Sequence, residues 1–206
     1  MEIIKLKNKK WTEFIGDLYR WGMFEETLTI ILKDDAVNRD YDIYNDLMFH
    51  LVNNTVPYFA VDYSFLINKS LELDNYALAK EEVQIALDYI KNNTIYKKFI
   101  IWGKWLWGVL ALENATKLEW LNWLCLVSTW YHDYQVSDDY TKFDKPVILM
   151  HGTEDKRNPM QISKDLAAKL PRADYMAFDG ADDNYSHPRD YRRMLTYSLD
   201  FIFKNK

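Results

Sequence analysis

A mostly parallel α/β sheet is what this chain predicts, and three observations carry the prediction. Short apolar runs alternate with stretches of helical period along almost the whole sequence. This is the pattern of βαβ units whose sheet is covered on both faces. The 206 residues suffice for one such domain with a full core, and no linker, repeat or low-complexity tract divides residues 1–206. Finally, Ile100–Leu112 runs from an apolar strand through a glycine-bounded turn straight into a helix, and open α/β sheets bind ligands at such strand ends.

The elements follow in order. Glu2–Lys7 and Glu13–Tyr19 alternate as strands around the turn-like Asn8-Lys9-Lys10, predicting an antiparallel hairpin at one sheet edge. Thr27–Leu32 is a short strand of buried type. Asp42–Leu51 carries Ile43, Leu47 and Leu51 at helical spacing. Tyr58–Tyr63 is a strand. Tyr76–Ile90 is an amphipathic helix with Leu78, Val83, Ala86, Leu87 and Ile90 on one side. Phe99–Trp102 is a strand and Leu106–Lys117 a helix. Leu124–Ser128 and Pro146–Met150 are strands. Met160–Leu170 is a helix closed by Pro171, Tyr175–Phe178 a strand, and Asp190–Phe203 the last helix. The sum is a twisted sheet of about eight strands flanked by helices. The aromatic, acidic connection between Ser128 and Asp144 is too short for a large cap domain.

Composition narrows the function classes. Hydrophobic residues make up 49% and charged residues 28%, a globular balance. The net charge of −5 and pI near 5.4 argue against a nucleic-acid partner. The single cysteine, Cys125, excludes an internal disulfide framework and suits a reducing compartment. With no leader-like N-terminus and no apolar run of spanning length, the expectation is a cytoplasmic protein with no membrane partner. Aromatics are plentiful (Trp 8, Tyr 15, Phe 10) and glycine is scarce at 6, unusual for a fold whose site loops depend on glycine.

The segment Ile100-Ile101-Trp102-Gly103-Lys104-Trp105-Leu106-Trp107-Gly108 resembles the nucleophile elbow of α/β-hydrolases, where Gly-x-Ser-x-Gly presents a serine on a sharp strand-to-helix turn. Here the frame is Gly103-x-Trp105-x-Trp107, and an indole cannot attack a carbonyl. The resemblance, to small carboxylesterase-like or serine-peptidase-like members, covers nearly the whole chain and is strongest from Phe99 onward. Lys145-Pro146-Val147-Ile148-Leu149-Met150-His151-Gly152-Thr153-Glu154-Asp155 is similar to the family's strand and triad acid, which the resemblance assigns to Asp155. Gly180-Ala181-Asp182-Asp183 is similar to the family's Gly-x-x-His, with Asp183 where the general base would be and His187 four residues on. Leu32-Lys33-Asp34-Asp35 stands where the family has the His-Gly of its oxyanion loop, and two acids there would repel an oxyanion. Asp62-Tyr63-Ser64-Phe65-Leu66-Ile67-Asn68-Lys69-Ser70 stands where the family commonly has Asp-x-Arg-Gly-x-Gly-x-Ser.

All four departures fall at strand C-terminal ends, while the core positions look sound. That clustering points to a site replaced for a purpose, natural or engineered, and to a pseudoenzyme in which Ser-His-Asp hydrolysis is not expected. The leading reading is a non-hydrolytic binding protein whose small ligand or protein partner contacts Phe65, Leu66, Ile67, Trp105 and Trp107. Trp residues are favoured interface anchors, and a loop of consecutive apolar residues marks interaction sites. Equally, Trp105 and Trp107 could fill the former pocket. A second reading is an enzyme with a relocated site, using Lys33 as a Schiff-base amine or His187 with the carboxylates Asp155 and Asp183. A third is a homodimer closed by the aromatic face. His132 could reach the site, His151 reads as structural, and neither cofactor nor metal is expected. Cys125 reads as a buried, inert thiol, and Ser64 and Ser128 lack a nucleophile's turn.

Overall fold

The computed structural model describes residues 1–20, 26–33, 43–64, 75–129 and 138–205. Its strands are β1 (Glu2–Lys7), β2 (Glu13–Tyr19), β3 (Thr27–Leu32), β4 (Tyr58–Asp62), β5 (Lys98–Lys104), β6 (Leu121–Val127), β7 (Val147–Gly152) and β8 (Ala173–Phe178). The described helices are α1 (Ile43–Asn53), α2 (Asn75–Asn93), α3 (Leu106–Ala115), α4 (Met160–Lys169) and α5 (Pro188–Asn205), with a 3₁₀ turn at Asp138–Lys142. Every strand and helix expected from the sequence is present, with ends displaced by a few residues.

One eight-stranded sheet runs in the order β1-β2-β4-β3-β5-β6-β7-β8. The β1–β2 hairpin is antiparallel, and β2 joins β4 antiparallel, with Ile15 opposite Asp62. From β4 to β8 all pairings are parallel. The C-terminal ends of the parallel strands therefore gather on one edge of the sheet, and no cap domain covers them among the described residues.

Successive side chains of a strand face opposite sides, and the core divides accordingly. Leu28, Ile30, Leu32, Phe59, Val61, Phe99, Ile101, Leu124, Leu126, Val147 and Leu149 pack on one side beneath α2, α3 and α4. Ile31, Tyr58, Ala60, Ile100, Trp102, Cys125, Val127, Ile148 and Met150 pack on the other beneath α1 and α5. Burial on both faces explains why these strands read as unbroken apolar runs. Trp102 anchors the second side, donating Nε1–H to Ser198 Oγ at 3.1 Å and meeting Tyr44 edge-on at 5.5 Å.

Strand β6 starts before its apolar run does. The β5–β6 register shifts between Phe99 and Ile100, pairing Phe99 with Leu121 and Ile100 with Trp123. Asn122 is the residue left over, and its Oδ1 accepts the Phe99 N–H at 3.0 Å. A polar side chain here stands in for a ladder acceptor at a bulge.

Candidate functional site

At the end of β5 the chain turns sharply into α3. Trp105 occupies the apex with φ 51° and ψ −126°, a conformation that a residue bearing a Cβ adopts only under strain. Its N–H donates to Val127 O at 3.0 Å, and its carbonyl accepts the Gly108 N–H at 3.1 Å to start the helix. The turn is held by close approach on both sides. A Cβ on Gly103 would lie 2.7 Å from the Trp107 carbonyl oxygen, and one on Gly108 would strike the Thr129 side chain.

The two tryptophans of this turn do different things. Trp107 is buried at 4% exposure and stacks on Tyr63, so it belongs to the core and presents no face to a partner, contrary to the expectation of a shared binding surface. Trp105 is partly exposed. The Lys104 ammonium lies 3.2 Å from its ring centroid and the Arg157 guanidinium 5.7 Å from it. Lys104 is itself buried, so the indole face desolvates and holds a cation.

The loop after β7 carries Asp155. Asp155 Oδ1 accepts the backbone N–H groups of Arg157 and Asn158 at 2.9 and 2.8 Å, a turn closed on its own side chain. Its Oδ2 is buried without a hydrogen-bond partner among the described residues. His151 Nε2 lies 3.1 Å from that oxygen, but Nε2 also faces the Asn158 carbonyl at 2.8 Å. A carbonyl only accepts, so Nε2 carries a proton toward it, and Nδ1 lies 2.7 Å from Ser163 Oγ. His151 is fully buried and wholly engaged.

Asp183 comes from the loop after β8. Its Oδ2 is likewise buried without a hydrogen bond, 3.7 Å from Arg157 Nε. Burial, and then the neighbouring Asp155 carboxylate, push the Asp183 carboxyl above its ordinary range, against the pull of Arg157 and Lys104. The space among Trp105, Asp155, Arg157 and Asn158 is about 40 Å³. Ligand pockets run to about 300–1,000 Å³, so this one admits a water-sized group and no more.

Other residues of the sequence reading lie elsewhere. His187 is exposed at the start of α5, where Nδ1 accepts the Arg189 N–H at 3.2 Å and sits 3.9 Å from Asp190. Its contacts are those of a helix terminus, not of the Asp155 cluster. Lys33 Nζ is held 2.6 Å from Asp62 Oδ1 in an ion pair. Phe65, Leu66, Ile67, Asp34, Asp35 and His132 lie outside the described residues. Cys125 is buried, and burial pushes its thiol up to about 12.

Three features escaped sequence reasoning. Asn158 links the loops after β6 and β7 by donating Nδ2–H to the Thr129 carbonyl. Ser128 takes a positive φ of 43°, yet it is fully buried, 3.4 Å from the Tyr185 hydroxyl. Glu82 is a fully buried carboxylate on α2 that accepts from Asn8 Nδ2 (2.8 Å), Ser64 N–H (2.9 Å) and Ser64 Oγ (2.5 Å). Its only sequence signal was a charge next to Val83 on the apolar side of the helix.

No family model matches the sequence, and no curated protein matches it. Solved structures do. An α/β hydrolase of unknown function from Agrobacterium tumefaciens superposes with a TM-score of 0.83 at 12% identity, over 99% of this chain and 96% of that one. The α/β hydrolase domain-containing protein 10 from mouse gives 0.74 at 15%, over 100% of both chains. Est1E from Butyrivibrio proteoclasticus gives 0.73 at 12%, over 98% and 99%. At such identities the likeness is one of architecture, and it establishes that this chain has the α/β-hydrolase fold.

Proposed function

We propose that this chain is a non-hydrolytic binding protein on an α/β-hydrolase scaffold, a pseudoenzyme whose strand-end site has been rebuilt by natural selection or by engineering. The observation that carries the reading is Trp105 at the apex of the elbow. That position offers an indole held between Lys104 and Arg157 and no hydroxyl or thiol. The histidine beside Asp155 Oδ2 is the buried His151, already engaged by Asn158 and Ser163, and Asp183 stands where the family's base would be. Among the described residues the space beside Trp105 is about 40 Å³, which favours a ligand or protein partner that engages from outside. Trp105 and the charges beside it form one side of the contact, and Phe65, Leu66 and Ile67 are the candidate apolar side. Self-association through the same face is the homodimer form of this reading.

The test is an activated-ester assay with fluorophosphonate labelling, alongside a ligand screen by protein-observed NMR. No turnover above a mock purification and no labelling are expected, with ligand-induced shifts lost in Trp105→Ala. Ester turnover that disappears in Asp155→Asn would overturn the reading. Trp105→Ser alone is expected to stay inactive, because triad members act as a unit.

The relocated enzyme is kept as a second reading on one observation. Asp183 has a raised pKa beside Asp155, and both have an unpartnered buried oxygen, which is the arrangement of an acid–base pair. Turnover of any substrate that survives Trp105→Ala and is lost in Asp183→Asn would favour it.

A further inference from the structure

The hairpin joining β1 and β2 ends in Asn8-Lys9-Lys10-Trp11. Trp11 N–H donates to Asn8 O at 2.9 Å, and Asn8 N–H donates to Thr12 O at 3.1 Å. This is a tight turn followed by one left-handed residue, Trp11, with φ 61°. Glycine is the residue such a position favours, since a Cβ is crowded there. Tryptophan gains no burial in exchange, for it is 78% exposed. The folded chain therefore carries a strained, solvent-facing indole at a point where folding alone selects against one.

The platform beneath it is rigid. Asn8 Oδ1 accepts the Lys10 and Thr12 N–H groups at 3.0 Å each. Asn8 Nδ2 is tied to buried Glu82, and the Lys9 N–H to Glu81 at 2.5 Å. Lysines flank the ring in the sequence. Lys7 Nζ lies 5.6 Å from its centroid, and the exposed Lys7, Lys9 and Lys10 have no carboxylate partner among the described residues, whereas Lys5 is paired with Glu13 at 3.0 Å. In a chain of net charge −5, this tip is a local concentration of positive charge. Its orientation also follows from register. Since Ile15 at the start of β2 pairs with Asp62 at the end of β4, the tip projects from the same sheet edge as the C-terminal ends of the parallel strands, where Trp105 lies.

We propose that the β1–β2 tip docks this protein on an anionic membrane surface, with Trp11 at headgroup level and Lys7, Lys9 and Lys10 over the lipid phosphates and carboxylates. Tryptophan is the side chain that settles at the membrane–water boundary, and each lysine near an anionic leaflet adds attraction over a Debye length. A polynucleotide could also stack on an indole among lysines. It would, however, run on past the tip over a chain of net charge −5. The inference revises the expectation of no membrane partner, which rested on the absence of a spanning segment and does not bear on surface docking. Docked this way, the strand-end edge faces the lipid. The proposal does not depend on the function proposed for that site.

Co-sedimentation of the full chain with phosphatidylserine-containing vesicles and with pure phosphatidylcholine vesicles is the test, with a single-stranded oligonucleotide in parallel. Binding is expected to the anionic vesicles only and to vanish at high salt. Trp11→Gly is expected to lower vesicle affinity about fivefold or more while leaving the melting temperature unchanged or higher, because glycine relaxes the turn. Lys9→Glu with Lys10→Glu is expected to abolish binding. No sedimentation with anionic vesicles, equal sedimentation with neutral ones, or a Trp11→Gly protein that binds as well as the parent would overturn the proposal. So would Trp11-dependent binding of the oligonucleotide at lower concentration than the vesicles.

Discussion

Trp107 lies flat against Tyr63, with ring centroids 4.1 Å apart and planes 7° from parallel. One ring belongs to the first turn of α3 and the other follows β4, so the stack joins the elbow to the end of a strand two places away in the sheet. Both rings are buried. Trp107→Ala is expected to destabilise the protein by about 3–5 kcal/mol, the cost of emptying a buried aromatic site, and Trp107→Phe by much less. Urea unfolding at neutral pH measures both. A Trp107→Ala cost below about 1 kcal/mol, within the range of surface changes, would mean that the ring is not structural.

Glu82 holds three donors from two other parts of the chain, Asn8 and Ser64. Glu82→Ala strands all of them in a dry environment and is expected to cost about 3 kcal/mol. Glu82→Gln keeps one acceptor and turns an amide toward donors, so an intermediate loss is expected. Hydrogen exchange should show the β1–β2 turn opening in both variants. Unchanged protection at the Lys10 and Thr12 amides would argue against the clamp.

Asp183 gives a pH dependence whose sign can be worked out. Burial raises its folded pKa above the ordinary aspartate range, so the folded state binds the proton more tightly than the unfolded state. Stability then falls as pH rises from the ordinary carboxyl range through the raised folded value. Asp183→Asn is expected to raise the melting temperature by a few degrees at neutral pH, with the gain shrinking as pH falls toward the ordinary value. A variant less stable than the parent at neutral pH would show that the Arg157 contact outweighs burial.

Cys125 sits among apolar side chains with its thiol pushed up to about 12, and only the thiolate is nucleophilic. Iodoacetamide at pH values near 8 should leave the native protein unmodified and alkylate it fully in denaturant, as read by intact mass. Rapid native labelling would place the thiol in a more open environment than the structure does.

Lys33 is engaged by Asp62 at 2.6 Å, so a reactive β-diketone should not form a stoichiometric adduct with it. Mass spectrometry after incubation decides the matter. An adduct abolished by Lys33→Met would make the protein an amine catalyst.

Much of this molecule was legible in one dimension. The strands buried on both faces appear as apolar runs because every side chain of Thr27–Leu32 and Val147–Gly152 is buried. Amphipathic α5 appears as a helical stripe because only one side of it, through Met194, Ser198 and Ile202, meets the sheet. The elbow was legible because Gly103 is demanded by the close approach of the Trp107 carbonyl four residues on, and local demands leave local traces.

Only the tertiary structure separated Trp105 from Trp107. They are two residues apart and identical in type, yet one lies against Lys104 at the strand end and the other on Tyr63 in the core. The difference is set by the left-handed turn between strand and helix and by Tyr63, a partner distant in sequence. The same holds for Asn8, Ser64 and Glu82, for Lys33 and Asp62, and for Asp155 beside Asp183. Each pairing couples segments far apart in the chain, and no spacing rule records which polar groups a fold will bury together. The sequence by itself determined the sheet and its helices, because periodicity and backbone sterics act on neighbours. Which side chains meet at the strand ends was decided by packing.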